Sequence, residues 1–349
     1  MTISIKILTK INRKLAAPLA TSMLSAALLL PNIGVSAQNQ DILKAGDYIP
    51  NLVQDRYTQP FVVQALTDRS YFVANGTHNA TFYVSDKGVM VFDPLSFGSG
   101  AAVIKAVKSV TDLPITALVY SHYHLDHLAD AHIFVKNAQK EGVKLDIIAP
   151  QAVSDQITRY GNQIPVATTT VSADKGFFEF DGLKVNVIPA NDTHSLDNTM
   201  FLLEGEKVLH YPDAIEPEDF IPYFRLVGAL DIAPLITNLE QVKSLDWEYL
   251  NAGHGNVGSR KDIDKHLVLI QDIKNAVNIA FSQEPFEKFF TPNADILVTI
   301  KKFHNAVAEN ALASLKQKYG QYERFNVTMK SHVDLMITNL SYYQMPHQE

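Results

Sequence analysis

Residues 121–127, Ser121-His122-Tyr123-His124-Leu125-Asp126-His127, put three imidazoles and a carboxylate within six positions. They follow an apolar run, Ile115-Thr116-Ala117-Leu118-Val119-Tyr120, whose pattern predicts a buried strand. Neutral imidazole is the commonest protein ligand for zinc-like ions, and a carboxylate suits the same ions. In extended backbone the side chains at i and i+2 share one side, so His122 and His124 can close on a single ion. Asp126 and His127 lie past a turn and can serve a second. The plain alternative is a polar loop with solvent-facing histidines, and the sequence downstream speaks against it.

Three later segments each set one donor side chain at the end of a strand-like apolar run: Thr193-His194-Ser195, Tyr211-Pro212-Asp213 and Ala252-Gly253-His254-Gly255. In order and spacing the whole set resembles the metallo-β-lactamase superfamily, which carries an H-x-H-x-D-H loop, a lone His, a bridging residue and a final His. The resemblance runs from about Thr67 to Asn256 and fills every ligand position. It implies an α/β fold, an αββα sandwich of two mixed β-sheets with outer helices. It further implies that His122, His124 and His194 hold one divalent ion, that Asp126, His127 and His254 hold another, and that Asp213 bridges them. Zinc is the expected metal. Such a pair acidifies a shared water and presents hydroxide to a carbonyl. Asp126, as the catalytic carboxylate, would orient that hydroxide. Asp93, closing the strand Val89–Phe92, would by the same resemblance orient a ligating side chain. On the residues alone it fits equally well as a turn former before Pro94.

Composition bounds the reading. The 349 residues allow one large or two small domains, and 46% apolar against 19% charged residues is a core-forming balance. Lys6, Lys10, Arg13 and Lys14 precede an uncharged stretch from Leu15 to Leu30 and a small-x-small site, Val35-Ser36-Ala37. This is the pattern of a signal peptide over residues 1–37, cleaved near Ala37, and predicts a periplasmic or secreted protein. The apolar stretch is short for a permanent span, so no membrane anchor is expected. Without those residues 26 basic side chains face 37 acidic ones, a net charge of −11. So acidic a chain has no electrostatic affinity for nucleic acid, and a small molecule is the expected partner. The absence of Cys removes disulfides and any thiolate ligand.

Along the chain, residues 38–66 read as an N-terminal arm and residues 67–258 as the catalytic domain. Short strands are predicted at Tyr71–Val73, Ala80–Val84 and Val89–Phe92, followed by a helix over Ala101–Val110. A second helix is predicted from Leu128 to Lys140 with Gly142 as its stop, then a strand at Lys144–Ala149. Asp181-Gly182 centres a hairpin, and strands at Thr199–Glu204 and Lys207–Tyr211 set His194 and Asp213 at opposite ends of a hairpin-like unit. Residues 259–349 carry three runs of 3–4 spacing and form a C-terminal helical extension. Its expected role is packing, with pocket shaping or homodimerisation as alternatives. His266, His304, His332 and His347 read as structural or surface residues.

Departures from known subfamilies bear on the substrate. The thiolate β-lactamases have Cys in place of Asp213 and often a substrate-binding Lys three residues on, where this chain has Glu216. His194-Ser195-Leu196-Asp197-Asn198 nevertheless resembles their His-x-x-Asp-Asn run. The bridging Asp213 is instead similar to glyoxalase II and the acyl homoserine lactonases. The implied activity is hydrolysis of an ester, lactone or thioester. A β-lactamase-like amidase and a mononuclear-iron sulfur dioxygenase are the alternatives. Phe220, Tyr223 and Phe224, in a proline-interrupted segment past Asp213, are candidate pocket residues, and His78 is a candidate for the pocket lip.

Overall fold

The computed structural model describes residues 42–43, 46–161, 163–172, 174–190, 193–217 and 221–343. The leader read in residues 1–37, and Phe220 and His347, lie outside them. α1 (Leu52–Thr58) leads into a seven-stranded sheet of β1 (Val62–Ala65), β2 (Ser70–Asn75), β3 (His78–Val84), β4 (Val89–Phe92), β5 (Ile115–Val119), β6 (Asp146–Pro150) and β7 (Thr169–Val171). The strands lie side by side in chain order, antiparallel as far as β4 and parallel from β4 to β7. Parallel neighbours require crossovers. These are supplied by α2 (Ser99–Val110), by α3 (Leu125–Leu128) with α4 (Ala131–Glu141), and by α5 (Gln151–Tyr160).

The second sheet has six strands: β8 (Phe177–Phe180), β9 (Leu183–Pro189), β10 (Thr199–Leu203), β11 (Val208–His210), β12 (Tyr249–Asn251) and β13 (Val257–Gly258). β11 and β12 are parallel, joined through α6 (Phe224–Gly228) and α7 (Ile232–Ser244). α8 (Arg260–Gln283), α9 (Ile296–Tyr319) and α10 (Phe325–Tyr343) complete the fold. Among the described residues no helix is long and apolar enough to cross a membrane.

Side-chain alternation explains the layers. In a strand, successive residues face opposite sides. On β4, Val89 and Val91 join Val103, Val107, Phe134 and Val153 of α2, α4 and α5 in the outer core of the first sheet. Met90 and Phe92 turn inward and meet Phe201, Leu203, Val185 and Val208 of the second sheet. The Phe92 and Phe201 rings lie 5.5 Å apart across the sandwich, and burying one such ring contributes about 1.5–3 kcal/mol. On the far face Met200, Leu202 and Leu209 pack with Ile263, Ile270, Val277, Val307, Ala311, Val333 and Met336. The architecture is therefore the expected αββα sandwich.

Two expectations need correction. Residues 62–65, assigned to the arm, form the edge strand β1, pairing with β2 from Val62–Ala74 to Ala65–Tyr71. The helix expected over 128–140 is two pieces. A single turn, α3, carries Leu125 to Leu128, and α4 starts after Asp130, whose carboxylate accepts from the Gly98 and Gly100 N–H groups instead of continuing one smooth helix. The helical extension packs its apolar faces into one core with the second sheet. Its packing role holds. α8 opens on a reciprocal cap in which Ser259 Oγ and N–H both donate to Asp262, the local signal that starts a helix there.

Candidate metal centre

Every candidate ligand leaves a strand at the same end of the sandwich. His122, His124, Asp126 and His127 follow β5, Asp213 follows β11 and His254 follows β12, all at carboxyl ends of parallel strands. His194 follows β9, and His78 opens the antiparallel β3. The crevice beyond the carboxyl ends of strands is where open α/β sheets place ligands. α3 does the local work within the motif. His124 keeps extended backbone, whereas the helical turn that follows carries Asp126 and His127 into the group with His254.

The donors converge into two groups that share Asp213. His122, His124, His194 and Asp213 form one, and Asp126, His127, Asp213 and His254 the other, with the donor atoms of each within 4.8 Å of one another. Asp213 Oδ2 lies 3.3 Å from His122 Nε2, 3.0 Å from His194 Nε2 and 3.4 Å from His127 Nε2, while its Oδ1 lies 3.1 Å from His254 Nε2. Asp126 Oδ2 sits 3.7 Å from both His127 Nε2 and His254 Nε2. His124 contributes Nδ1, 2.7 Å from His194 Nε2.

Partners outside the cluster fix which nitrogen each imidazole turns inward. His194 Nδ1 donates to the Val227 carbonyl at 2.6 Å and His254 Nδ1 to the Thr77 carbonyl at 2.8 Å. Ser121 Oγ donates to Asp93 Oδ2 at 2.7 Å and therefore accepts from His122 Nδ1 at 3.0 Å. Each of these bonds leaves Nε2 with a free lone pair. His122 Nε2, His127 Nε2 and Asp213 Oδ1 are buried without a hydrogen-bond partner. Orphaned donors and acceptors are costly in a folded protein and mark a site completed by something else. Neutral nitrogen and carboxylate oxygen at tetrahedral ligand count suit a zinc-like divalent ion, so the residues fit the metal their pattern implies.

Electrostatics agree. Burial pushes the Asp213 carboxyl up, but the surrounding His127, His194 and His254 outweigh it and hold the group well below the ordinary carboxylate range. Burial lowers His254, and Asp213 and Asp126 more than reverse this, raising it to about 9. His124 is driven down to about 3, first by burial and then by its imidazole neighbours. Without an ion, the buried carboxylates are balanced by protons on these imidazoles; ligands must shed such protons to coordinate.

Asp93 is wholly buried. Besides Ser121 Oγ it accepts from the Ser121 N–H at 2.9 Å, and it lies 3.3 Å from His127 Nδ1 and 3.0 Å from His210 Nε2. His210 went unrecognised in the sequence. Its signal was parity: on β11 residues 208 and 210 point into the sandwich, so a histidine at 210 must find buried polar company. That company is Asp93 and Thr81 Oγ1, the latter also bound by Asn251 Nδ2, whose Oδ1 accepts from the Gly253 N–H beside His254. His78 is more deeply placed than a lip residue. It is buried, 3.5 Å from Asp126 Oδ2, with its ring 4.9 Å from that of His254.

The segment past Asp213 holds a rare backbone form. Within α6, Arg225, Leu226 and Val227 have φ of 51, 54 and 60° and ψ of 46, 54 and 44°. A left-handed turn costs roughly 1–2 kcal/mol per non-glycine residue, so it survives only where its surroundings impose it. Gly228 follows at φ 74°, and a Cβ there would meet the His194 ring at 2.9 Å. Tyr223 and Phe224, the expected pocket residues, are exposed at the head of this turn. Leu125 and Leu196, beside His124 and His194 in sequence, are exposed as well. Glu216 is not the bare repulsive charge its position suggested. It pairs with Arg324 at 2.6 Å and accepts from the Tyr223 N–H at 2.8 Å. Its cation is thus supplied by Arg324, the residue that precedes α10.

Comparison with known proteins follows the geometry. The family model of the metallo-beta-lactamase superfamily matches residues 73–225. The chain is similar to 2,4-dinitroanisole O-demethylase subunit alpha from Nocardioides sp. (strain JS1661), 26% identical over 200 residues, 56% of this chain and 58% of that protein. It is also similar to an (R)-specific secondary-alkylsulfatase from Pseudomonas sp, 24% identical over 272 residues, 67% of this chain and 37% of that protein. The chain therefore spans little more than half of one relative and about a third of the other. Among solved structures, a metallo-beta-lactamase from Pontibacter korlensis aligns over 60% of this chain and 99% of its own, at 17% identity and a TM-score of 0.49.

Proposed function

We propose, from the match of residues 73–225 to the metallo-β-lactamase superfamily model, that the chain is a member of that superfamily and a dinuclear metal-dependent hydrolase of esters, lactones or thioesters. One observation carries the reading. The buried Asp213 carboxylate faces three imidazoles with one oxygen and His254 with the other, the arrangement of a bridging ligand. Two divalent ions held there would polarise the scissile bond and acidify a water to near neutral pH. His122, His124 and His194 would hold the first ion, and Asp126, His127 and His254 the second. Asp126 is the most exposed of the ligand carboxylates and the one able to accept a proton bond from a water on the open side. His78 braces Asp126 from behind, and Asp93 braces His127. The basic, apolar and small-residue pattern of residues 1–37 supports export of the mature chain.

A second reading, cleavage of alkyl sulfate esters, has a specific support: a curated relative is named an alkylsulfatase, and Leu125, Leu196, Tyr223 and Phe224 offer exposed apolar surface close in sequence to the ligands. Both readings place an apolar group against that rim. One comparison tests them together: kcat/KM of the zinc-loaded protein for an aryl ester, an acyl lactone, an alkyl sulfate and a nitrocefin-type β-lactam. Preference for the first two supports the carbonyl-ester reading, and preference for the sulfate promotes the second. β-Lactam turnover equal to either would overturn both. A single tightly held iron with oxygen consumption would point instead to the dioxygenase alternative.

A further inference from the structure

We propose that the C-terminal helix α10 is a working part of the metal centre and that His332 is a positioning residue for His194. The inference rests on the metal-site reading above and extends it to a helix that touches none of the ligands. His194 is fixed by one bond on its outer side, from Nδ1 to the Val227 carbonyl. That carbonyl is presented by the left-handed turn of Arg225, Leu226 and Val227, so the direction of the His194 ring depends on whether the turn keeps its shape.

Within the turn, the Val227 and Ala229 N–H groups find local acceptors, the Tyr223 and Arg225 carbonyls. The two earlier N–H groups are satisfied from α10. Arg225 N–H donates to Ser331 Oγ at 2.9 Å, and Leu226 N–H to His332 Nδ1 at 3.0 Å. An imidazole that accepts at Nδ1 carries its proton on Nε2, and His332 Nε2 donates to the Pro222 carbonyl at 3.1 Å. One wholly buried side chain thus grips the segment at both Pro222 and Leu226. Thr328 Oγ1 donates to the same Pro222 carbonyl at 3.2 Å, and Arg324 holds Glu216, which holds the Tyr223 N–H. Four residues of one helix or its first approach, about a hundred positions away in sequence, impose a conformation that the turn residues would not adopt alone.

Burial, the dominant cause, keeps His332 down to about 4, so near neutrality it stays uncharged and able to accept and donate in this way. Loss of its grip should let the turn relax towards right-handed backbone, move the Val227 carbonyl and free the His194 ring. The consequence should fall on the first ion site, because the turn's bond reaches His194, which belongs to the first group of donors and not to the second.

The test is Zn2+ titration of the metal-free full-length protein against a competing chelator, with elemental analysis of the equilibrated sample. His332→Leu is expected to weaken one of the two bound ions about tenfold and leave the other unchanged, the size typical of losing a support behind a ligating histidine. His332→Asn, which keeps an acceptor near the Nδ1 position, should recover most of that affinity. Amide hydrogen exchange of residues 225–229 should speed up in His332→Leu and return towards the parent rate in His332→Asn. Ser331→Ala, removing a single bond to the turn, should show the same one-site loss at smaller size and stands in if His332→Leu does not fold. Equal weakening of both ions, or lower thermal stability with both affinities intact, would overturn the proposal. A parent protein that binds no Zn2+ would instead overturn the metal-site reading on which it rests.

Discussion

Asp93 Oδ2 and His210 Nε2 lie 3.0 Å apart, wholly buried, and join the two sheets of the sandwich beside the candidate metal ligands. Asp93 follows β4 of the first sheet at φ 59°, and His210 ends β11 in the second. The pair continues through Thr81 and Asn251 to the Gly253 backbone, so one polar chain runs from the His127 side of the site to the His254 loop. A network of this kind stabilises only when every member is satisfied.

His210→Phe keeps the ring volume and removes both bonds, leaving Asp93 and Thr81 each short of a partner. The expected loss is about 3 kcal/mol, as for other buried ionic groups deprived of one partner. Urea unfolding of the metal-free protein should show a lower midpoint with an unchanged slope. A loss below about 1 kcal/mol would mean that His210 is simple packing.

Metal removal should abolish activity, and elemental analysis of the loaded protein should return close to two ions per chain. Asp213→Ala takes away the one carboxylate common to both groups of donors. The expected product is a chain with one ion, held by His122, His124 and His194, and turnover lowered at least a hundredfold. Two tightly held ions in Asp213→Ala would show that the bridge lies elsewhere.

Asp126→Asn tests the proposed orienting carboxylate. Asn keeps the shape but loses the charge that His254 and His78 face. A group acting mainly in the transition state lowers kcat and kcat/KM together. The expected loss is about 100-fold or more in kcat, in the range of general acid–base assistance, with KM within a few-fold. A rise in KM alone would reassign Asp126 to substrate binding.

Much of this site was legible in the sequence because its chemistry is local. The motif 121–127 and the donors at 194, 213 and 254 follow apolar runs that fold as strands, and strands bring their ends together. What could not be read was partnership at long range. The link from His332 to Leu226 spans 106 residues, and nothing in the alternation of α10 marks one buried histidine as a hydrogen-bonding residue. The left-handed turn was hidden for a related reason. Phe224-Arg225-Leu226-Val227 has no intrinsic preference for positive φ, and tertiary contacts impose it. Gly228 was the one local clue. The pairing of Glu216 was hidden in the same way, because Arg324 is remote from it in sequence. β1 was missed because Val62-Val63-Gln64-Ala65 is too short and too little alternating to stand out from an arm.

Gly228→Ala follows from that clue. The added methyl would sit 2.9 Å from the His194 ring, in backbone that disfavours a side chain. The expected cost is about 1–2 kcal/mol of stability, from the positive φ alone. Displacement of His194 should also weaken Zn2+ at the first site. Calorimetry of the metal-free protein separates the first effect from the second, which a chelator competition reads. Unchanged metal affinity with only a lower Tm would show that His194 tolerates the methyl.

Two imidazoles outside the candidate ligand set should make stability depend on acid. Burial drives His266 down to about 3, with His332 adding to the effect, and burial drives His332 down to about 4. Both lie below the ordinary value of about 6.5 that an unfolded chain would show. Between those limits the unfolded state binds protons that the folded state refuses, so folding stability rises with pH. The contribution is fully present above about pH 6.5 and is lost as pH falls through 5 towards 4, by up to about 1.4 kcal/mol per pH unit for each imidazole. Urea unfolding of the metal-free protein at pH 7, 6, 5 and 4.5 measures the slope without interference from ion release. His266→Leu removes one titrating group while keeping the site apolar, and its pH dependence should be shallower than the parent's by up to that amount over pH 6–4.5. Carboxylates common to both proteins cancel in the difference. Parallel slopes would mean that His266 gains its proton in the folded protein as readily as in the unfolded one, and that the interior of the helical extension admits water where the structure shows it closed.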